Sequence, residues 1–283
     1  MLCIYYCAPD MNYIDEAPQI KIDYREEDPT LEKFIEVHDN QTIYITISED
    51  FNLFNKPDTL RRFQNLKQYK NWVLQIPISM ISTIKENESS IIIDDIKFDA
   101  IKDSCNKYMF TDVVGSWEVL QFVLSLHPAE VYITNILGFS FDRLYTVCNN
   151  AEVGIRVTAN VAQAAWDGIE PMKKFFIRPE DVDFYETYCS GIEFSGKDKS
   201  IQEVMYKIYK RQYWYGDLKE IIIGLDQSLD SRQLPLDFGK WRANCGKRCI
   251  TGGKCNLCKA ILHFAENMDK TETLIVPKVK QKL

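Results

Sequence analysis

Cys245, Cys249, Cys255 and Cys258 place four thiols in one short run, with spacings x3, x5 and x2. Four sulfurs converging on one centre need a chain that turns sharply between ligands, and Gly246, Gly252 and Gly253 supply that freedom. Lys247, Arg248, Lys254 and Lys259 surround the run. Positive charge beside a thiol favours the thiolate and offsets the anionic charge of a four-thiolate site. Disulfides and four unrelated thiols are the competing readings. Nine cysteines, odd in number and unevenly spread, do not look like a secreted disulfide framework, so metal ligation is the expectation. Zinc sites usually pair two short knuckles across a longer spacer, whereas compact runs also hold [4Fe–4S] clusters. The spacing leaves both open, and base rates lean to zinc as a structural clip. His263 is not needed as a ligand, because four sulfurs complete a site. Cys105, Cys148 and Cys189 sit in apolar contexts and read as small core residues.

A second candidate site lies at the ends of predicted strands. Strand 130–134 ends at Asn135. Strand 153–157 carries Arg156 and leads to Asn160 and Gln163. Strand 174–177 runs into Arg178, and strand 191–194 presents Glu193 and leads to Lys197. Arg178 is the candidate anion or substrate anchor and Glu193 the candidate acid or base. Asn135, Arg156, Asn160, Gln163 and Lys197 line the substrate. The bland alternative for Arg178-Pro179-Glu180-Asp181 is an ordinary helix start, with proline first, acids in the first turn, and the arginine paired to a carboxylate. No serine–histidine–aspartate order, His-Glu-x-x-His or phosphate loop appears, and His38, His127 and His263 are scattered.

The elements that must position these groups alternate. Strands are predicted at 19–24, 42–47, 72–78, 109–113, 130–134, 153–157, 174–177 and 191–194. Helices are predicted from Asp28-Pro29-Thr30, and over 58–69, 116–126, 141–149, 179–188 and 201–213; Ile91-Ile92-Ile93 is ambiguous. Alternation of this kind implies βαβ units and a mostly parallel sheet. So many units predict an α/β fold of the (β/α) barrel type, complete or truncated, with a C-terminal four-cysteine metal module. The expected organisation is a polar N-terminal extension over 1–29, a barrel domain over 30–240, and the metal module with a basic tail over 241–283.

Composition sets the outer limits. The chain has 283 residues, is 46% hydrophobic, and carries a formal charge of −7. It is apolar enough to offset its ordering entropy by burial, and too acidic for a general nucleic-acid binder. No stretch approaches the roughly 20 apolar residues of a membrane span, and Met1–Cys7 lacks the basic flank of a signal peptide. A cytoplasmic setting is therefore expected. Tyr206, Tyr209, Tyr213, Trp214 and Tyr215 alternate with Lys207, Lys210, Arg211 and Lys219. This pattern suits either stacking on RNA or a helix packed on the barrel with solvated lysines, and packing is favoured.

Glu130-Val131-Tyr132-Ile133-Thr134-Asn135-Ile136-Leu137-Gly138-Phe139 and Ile155-Arg156-Val157-Thr158-Ala159-Asn160 resemble barrel strands of the collagenase-like peptidase family, peptidase family U thirty-two. So does Gly191-Ile192-Glu193-Phe194-Ser195-Gly196-Lys197-Asp198, with Lys197 where arginine is usual. The resemblance spans roughly residues 110–260. It implies a complete or incomplete barrel, a four-cysteine iron–sulfur cluster, and hydroxylation of RNA or quinone precursors, or peptidase activity. The expected function is thus a cluster-dependent modification of RNA or a small precursor. The alternative is a non-catalytic, zinc-stapled binding or assembly protein that meets protein or RNA through its aromatic–basic helix.

Overall fold

Strands that alternate polar and apolar residues, each followed by a helix, bury one face against the helices and turn the other toward whatever the sheet encloses. The computed structural model describes residues 4–7, 17–26, 28–47, 56–80, 82–85, 90–93, 95–111, 117–133, 141–158, 176–193, 217–218, 228–243, 258, 260 and 263. The main sheet contains β1 (Ile4–Cys7), β2 (Gln19–Asp23), β3 (Thr42–Thr46) and β4 (Trp72–Pro77). A two-stranded antiparallel hairpin follows, β5 (Ser82–Lys85) with β6 (Ser90–Ile93). The sheet resumes with β7 (Tyr108–Thr111), β8 (Glu130–Ile133), β9 (Gly154–Thr158) and β10 (Gly191–Glu193).

Seven strands, from β2 round to β10, form one curved parallel sheet. The short β1 pairs with β10 on one side and β2 on the other, which closes the ring. Followed once round, the pairing slips by about eight residues, the stagger of an eight-stranded (β/α) barrel.

Helices α1 (Leu31–Val37), α2 (Pro57–Leu66), α3 (Asp95–Ser104), α4 (Trp117–Ser125), α5 (Phe141–Asn150) and α6 (Val182–Glu186) alternate with the strands. Their starts follow local chemistry. Pro57 opens α2 with Asp58 in its first turn. Ahead of α1, Asp28 accepts from the amide and hydroxyl of Thr30, and these bonds hold its carboxyl below the ordinary range.

One large apolar core fills the space between sheet and helices. Ile43, Ile45, Leu74, Phe110, Val131 and Ile155 supply the sheet side, and Leu31, Phe63, Leu120 and Leu144 supply the helix side. A separate small cluster, Tyr44, Val73, Met109 and Tyr132, lies on the opposite face of the same strands. That face is the lumen of the barrel.

Three expectations change and one ambiguity is resolved. Residues 1–29, read as an extension ahead of the barrel, supply two of its strands, β1 and β2. Only a ring that closes gives Ile4–Cys7 two strand neighbours, and a short segment shows no such pairing in its own sequence. The isoleucine run at 91–93 is a strand of the hairpin. The described part of predicted strand 174–177 is an isolated bridge at Phe176 leading to extended Arg178. The helix predicted at 179–188 is a 3-10 turn, Pro179–Asp181, continued by α6. Beyond the barrel, a 3-10 turn at Ser231–Gln233 is closed by a reciprocal cap between Asp230 and Gln233, and α7 (Phe238–Ala243) follows. Among the described residues no helix is long and apolar enough to cross a membrane.

Cys105, Cys148 and Cys189 are buried in the outer core. Burial pushes the thiols of Cys105 and Cys148 up to about 12, and that of Cys189 higher still. Since the thiolate is the nucleophile, these three should stay unlabelled when the folded protein meets iodoacetamide at pH 8. All three should label after denaturation, as read by peptide mass spectrometry. Rapid labelling of any of them in the fold would contradict this packing.

Candidate functional site

Alternation along β3, β8 and β9 turns Tyr44, Glu130 and Arg156 inward, where they meet across the barrel. Arg156 is fully buried. Its Nε donates to Glu130 Oε2 at 2.9 Å and its Nη2 to the Tyr44 hydroxyl oxygen at 2.5 Å. The Tyr44 hydroxyl in turn donates toward Glu130 Oε1 at 3.3 Å, and the guanidinium lies 4.3 Å from the centre of the Tyr44 ring. A buried guanidinium without such partners would cost several kcal/mol, so the triad is a condition for placing Arg156 there. Gly154 makes room for it: a Cβ at that position would sit 3.1 Å from Glu130 Cγ.

Nearer the C-terminal ends of the strands, the end where (β/α) barrels carry their sites, a second polar set appears. Lys21 Nζ on β2 donates to Glu193 Oε1 on β10 at 2.5 Å, across the intervening β1. Glu193 is 1% exposed and Lys21 16%, so the lysine is the member of the pair that meets solvent. Thr46 Oγ1 donates to Gln75 Oε1 at 2.5 Å, and Thr111 and Thr158 end their strands on the same inward face. The upper lumen is thus lined by an ion pair, hydroxyls and an amide, where barrels commonly stack branched apolar side chains. This set can orient a small polar molecule through hydrogen bonds, with a carboxylate and an ammonium side by side to accept and donate protons.

Arg178 performs a different task. Its Nε and Nη2 grip both carboxylate oxygens of Asp181 at 2.7 Å each. Its Nη1 and Nη2 also donate to the carbonyls of Ser231 at 3.0 Å and Pro235 at 2.8 Å. The guanidinium lies 5.3 Å from the Phe238 ring centre. Asp181 Oδ1 also accepts from the Gly239 amide at 3.0 Å. A Cβ on Gly239 would fall 2.5 Å from Asp181 Cβ, so glycine is what lets α7 come this close. Arg178 and Asp181 therefore clamp the 231–239 segment to the barrel. Beside the clamp, Glu180 accepts from the Ser231 hydroxyl at 3.3 Å, and burial pushes its carboxyl above the ordinary value.

Of the four-cysteine run, Cys258 lies among the described residues. It is buried in helical backbone, and its Sγ receives a hydrogen bond from Arg242 Nη1 at 3.6 Å. A sulfur faced by a buried guanidinium suits a thiolate ligand. Cys245, Cys249 and Cys255 lie outside the described residues, as do Asn135, Asn160, Gln163, Lys197 and the aromatic–basic stretch 206–219 apart from Asp217 and Leu218. Among the described residues no group of three or more potential ligands converges.

Glu193 and Arg156 share the lumen, Arg156 deeper and Glu193 at the strand end, while Arg178 is held in the clamp. Sequence reasoning missed Lys21, Tyr44 and Gln75. Their signal was the alternation Gln19-Ile20-Lys21-Ile22-Asp23 and Thr42-Ile43-Tyr44-Ile45-Thr46, whose polar faces look solvent-bound until the barrel closes over them. Searches against protein-family models and curated proteins return no match to this chain.

Replacing Arg156 by Met should destabilise the protein by roughly 3 kcal/mol in urea unfolding, because Glu130 loses its counter-charge. Adding Glu130→Gln should recover part of that loss. An undiminished midpoint in Arg156→Met would show that the triad contributes nothing.

Glu180 provides a pH signature. A carboxyl raised from its ordinary 4.5 is proton-richer in the fold than in the unfolded chain. Stability attributable to it falls as pH rises through the window above 4.5, and the cost is complete above the raised value. Glu180→Gln should therefore melt higher than the parent at pH 7. The gap should close as pH drops toward 4.5; a gap independent of pH would refute this assignment.

Proposed function

We propose that the chain is a barrel enzyme of the collagenase-like peptidase type, modifying a small polar precursor at the C-terminal mouth of its barrel with the help of a four-cysteine metal centre. The observation that carries this reading is the Lys21–Glu193 pair, a buried carboxylate whose ammonium partner is reachable from solvent at the functional end of the strands. In this reading Glu193 accepts and returns a proton, and Lys21 holds its carboxylate in place. Asn135, Asn160, Gln163 and Lys197 approach the substrate from the strand ends. Arg156 keeps the deep lumen polar and ordered, and Arg178 serves the architecture that frames the mouth. Cys245, Cys249, Cys255 and Cys258 would hold a [4Fe–4S] cluster or zinc; a cluster would supply electron transfer, and zinc a structural staple. A precursor is favoured over RNA as the substrate, because the pair sits within a lumen lined by side chains rather than on an open basic face.

A second reading, a non-catalytic assembly protein with a zinc staple, draws on a separate observation. The Arg178–Asp181 clamp and the Arg242–Cys258 contact tie the C-terminal segment to the barrel, as a purely structural metal would require.

Anaerobic purification of the full chain, with metal analysis and a visible spectrum, separates the two. The enzyme reading expects iron and acid-labile sulfide with a broad brown absorbance. Stoichiometric zinc without a chromophore would sink it and leave the staple.

A further inference from the structure

We propose that Arg242 is a positioning residue of the four-cysteine centre: it fixes Cys258 from the barrel side and couples the state of the centre to the barrel wall. The inference rests on the metal-binding reading above and adds to it a residue outside the cysteine run.

The start of α7 is docked on the barrel side. Phe238 stacks on Phe176 with ring centres 5.6 Å apart, and the Gly239 amide donates to Asp181. The Tyr185 hydroxyl donates to the Gly239 carbonyl at 3.4 Å, so α6 also holds the helix. A helix docked at its start presents its last turn in a fixed place. Arg242 occupies that turn, 2% exposed, with its guanidinium 5.9 Å from the Phe176 ring centre and Nη1 directed at Cys258 Sγ.

Guanidinium keeps its charge at any working pH, so burying it beside sulfur is favourable when the sulfur belongs to an anionic thiolate set. Four thiolates around a dication or a cubane cluster form such a set. Outer groups that donate to ligand atoms orient them, and removing one typically weakens metal affinity by roughly 10- to 100-fold. Arg242 stands in that relation to Cys258. The same short helix carries Gly239, which bonds the clamp residue Asp181, and Arg242, which bonds Cys258.

Cobalt(II) titration of the metal-free full chain under anaerobic conditions tests this, with the sulfur-to-cobalt charge-transfer band as the readout. The parent should show a band of four-thiolate intensity, and Arg242→Gln the same band with affinity weaker by roughly tenfold or more. Arg242→Lys keeps a cation but loses the planar fork, so it should fall between them, and it serves as the decisive variant if Arg242→Gln does not fold. Folding is checked by far-UV circular dichroism. Equal cobalt affinity in the parent and in a folded variant would overturn the role of Arg242 while leaving the metal centre intact. A parent that shows no cobalt–thiolate band, and contains no iron or sulfide after anaerobic purification, would overturn the centre itself and the proposal with it.

Discussion

Arg156 carries its charge inside a closed ring of strands, and much of the molecule follows from that placement. Its side chain is shielded from bulk solvent there, so its counter-charge comes from another strand of the same ring. Glu130 on the neighbouring strand provides the counter-charge, and Tyr44 from across the lumen accepts a further hydrogen bond. Such a triad closes only if the barrel closes at the right stagger, because a register slip of one residue would turn each of these side chains outward. The polar contacts thus act with the apolar outer core, since the same slip would turn that core's side chains the wrong way as well. The presence of the polar contacts also keeps the lumen from being packed with branched aliphatic residues, which leaves the upper half to Lys21, Glu193, Thr46 and Gln75.

The second organising contact lies outside the lumen. Arg178 and Asp181 form a two-pronged pair with both side chains buried, and their remaining hydrogen-bonding capacity goes to the segment 231–239. Buried pairs of this sort contribute little net stability over apolar packing, but they are directional. Here the direction is useful. It sets α7 against the barrel, and α7 brings Arg242 to Cys258. The barrel and Cys258 are therefore neighbours in space through one helix.

The fold was legible in the sequence to a good extent, and the candidate site less so. Strands such as Thr42–Thr46 and helices such as Phe141–Asn150 follow from local periodicity, which neighbouring residues in the chain decide among themselves. The strand-end rule singled out Glu193 and Arg156, both of which face the lumen, because residue type and strand position are both local properties. It passed over Lys21, whose importance comes from Glu193, 172 residues away in the chain. For Arg178 it offered a substrate anchor beside a helix-start arginine paired to a carboxylate; Asp181 is that carboxylate, and it was visible in sequence, whereas the carbonyls of Ser231 and Pro235 that Arg178 also holds were not. Residues 1–29 looked like an extension because a four-residue strand carries almost no periodic signal of its own.

By itself the sequence determined the alternation of polar and apolar residues, the order of strands and helices, and the four-cysteine run, since these depend on spacing along the chain. Tertiary structure decided which side of each strand is inside. In an open sheet the polar faces of Gln19–Asp23 and Thr42–Thr46 would meet water; in the closed ring they line the lumen side by side. Ring closure brings together residues from opposite ends of the chain, and no local pattern encodes which lysine will find which glutamate. That pairing is decided by the stagger of the barrel, a property of all eight strands at once.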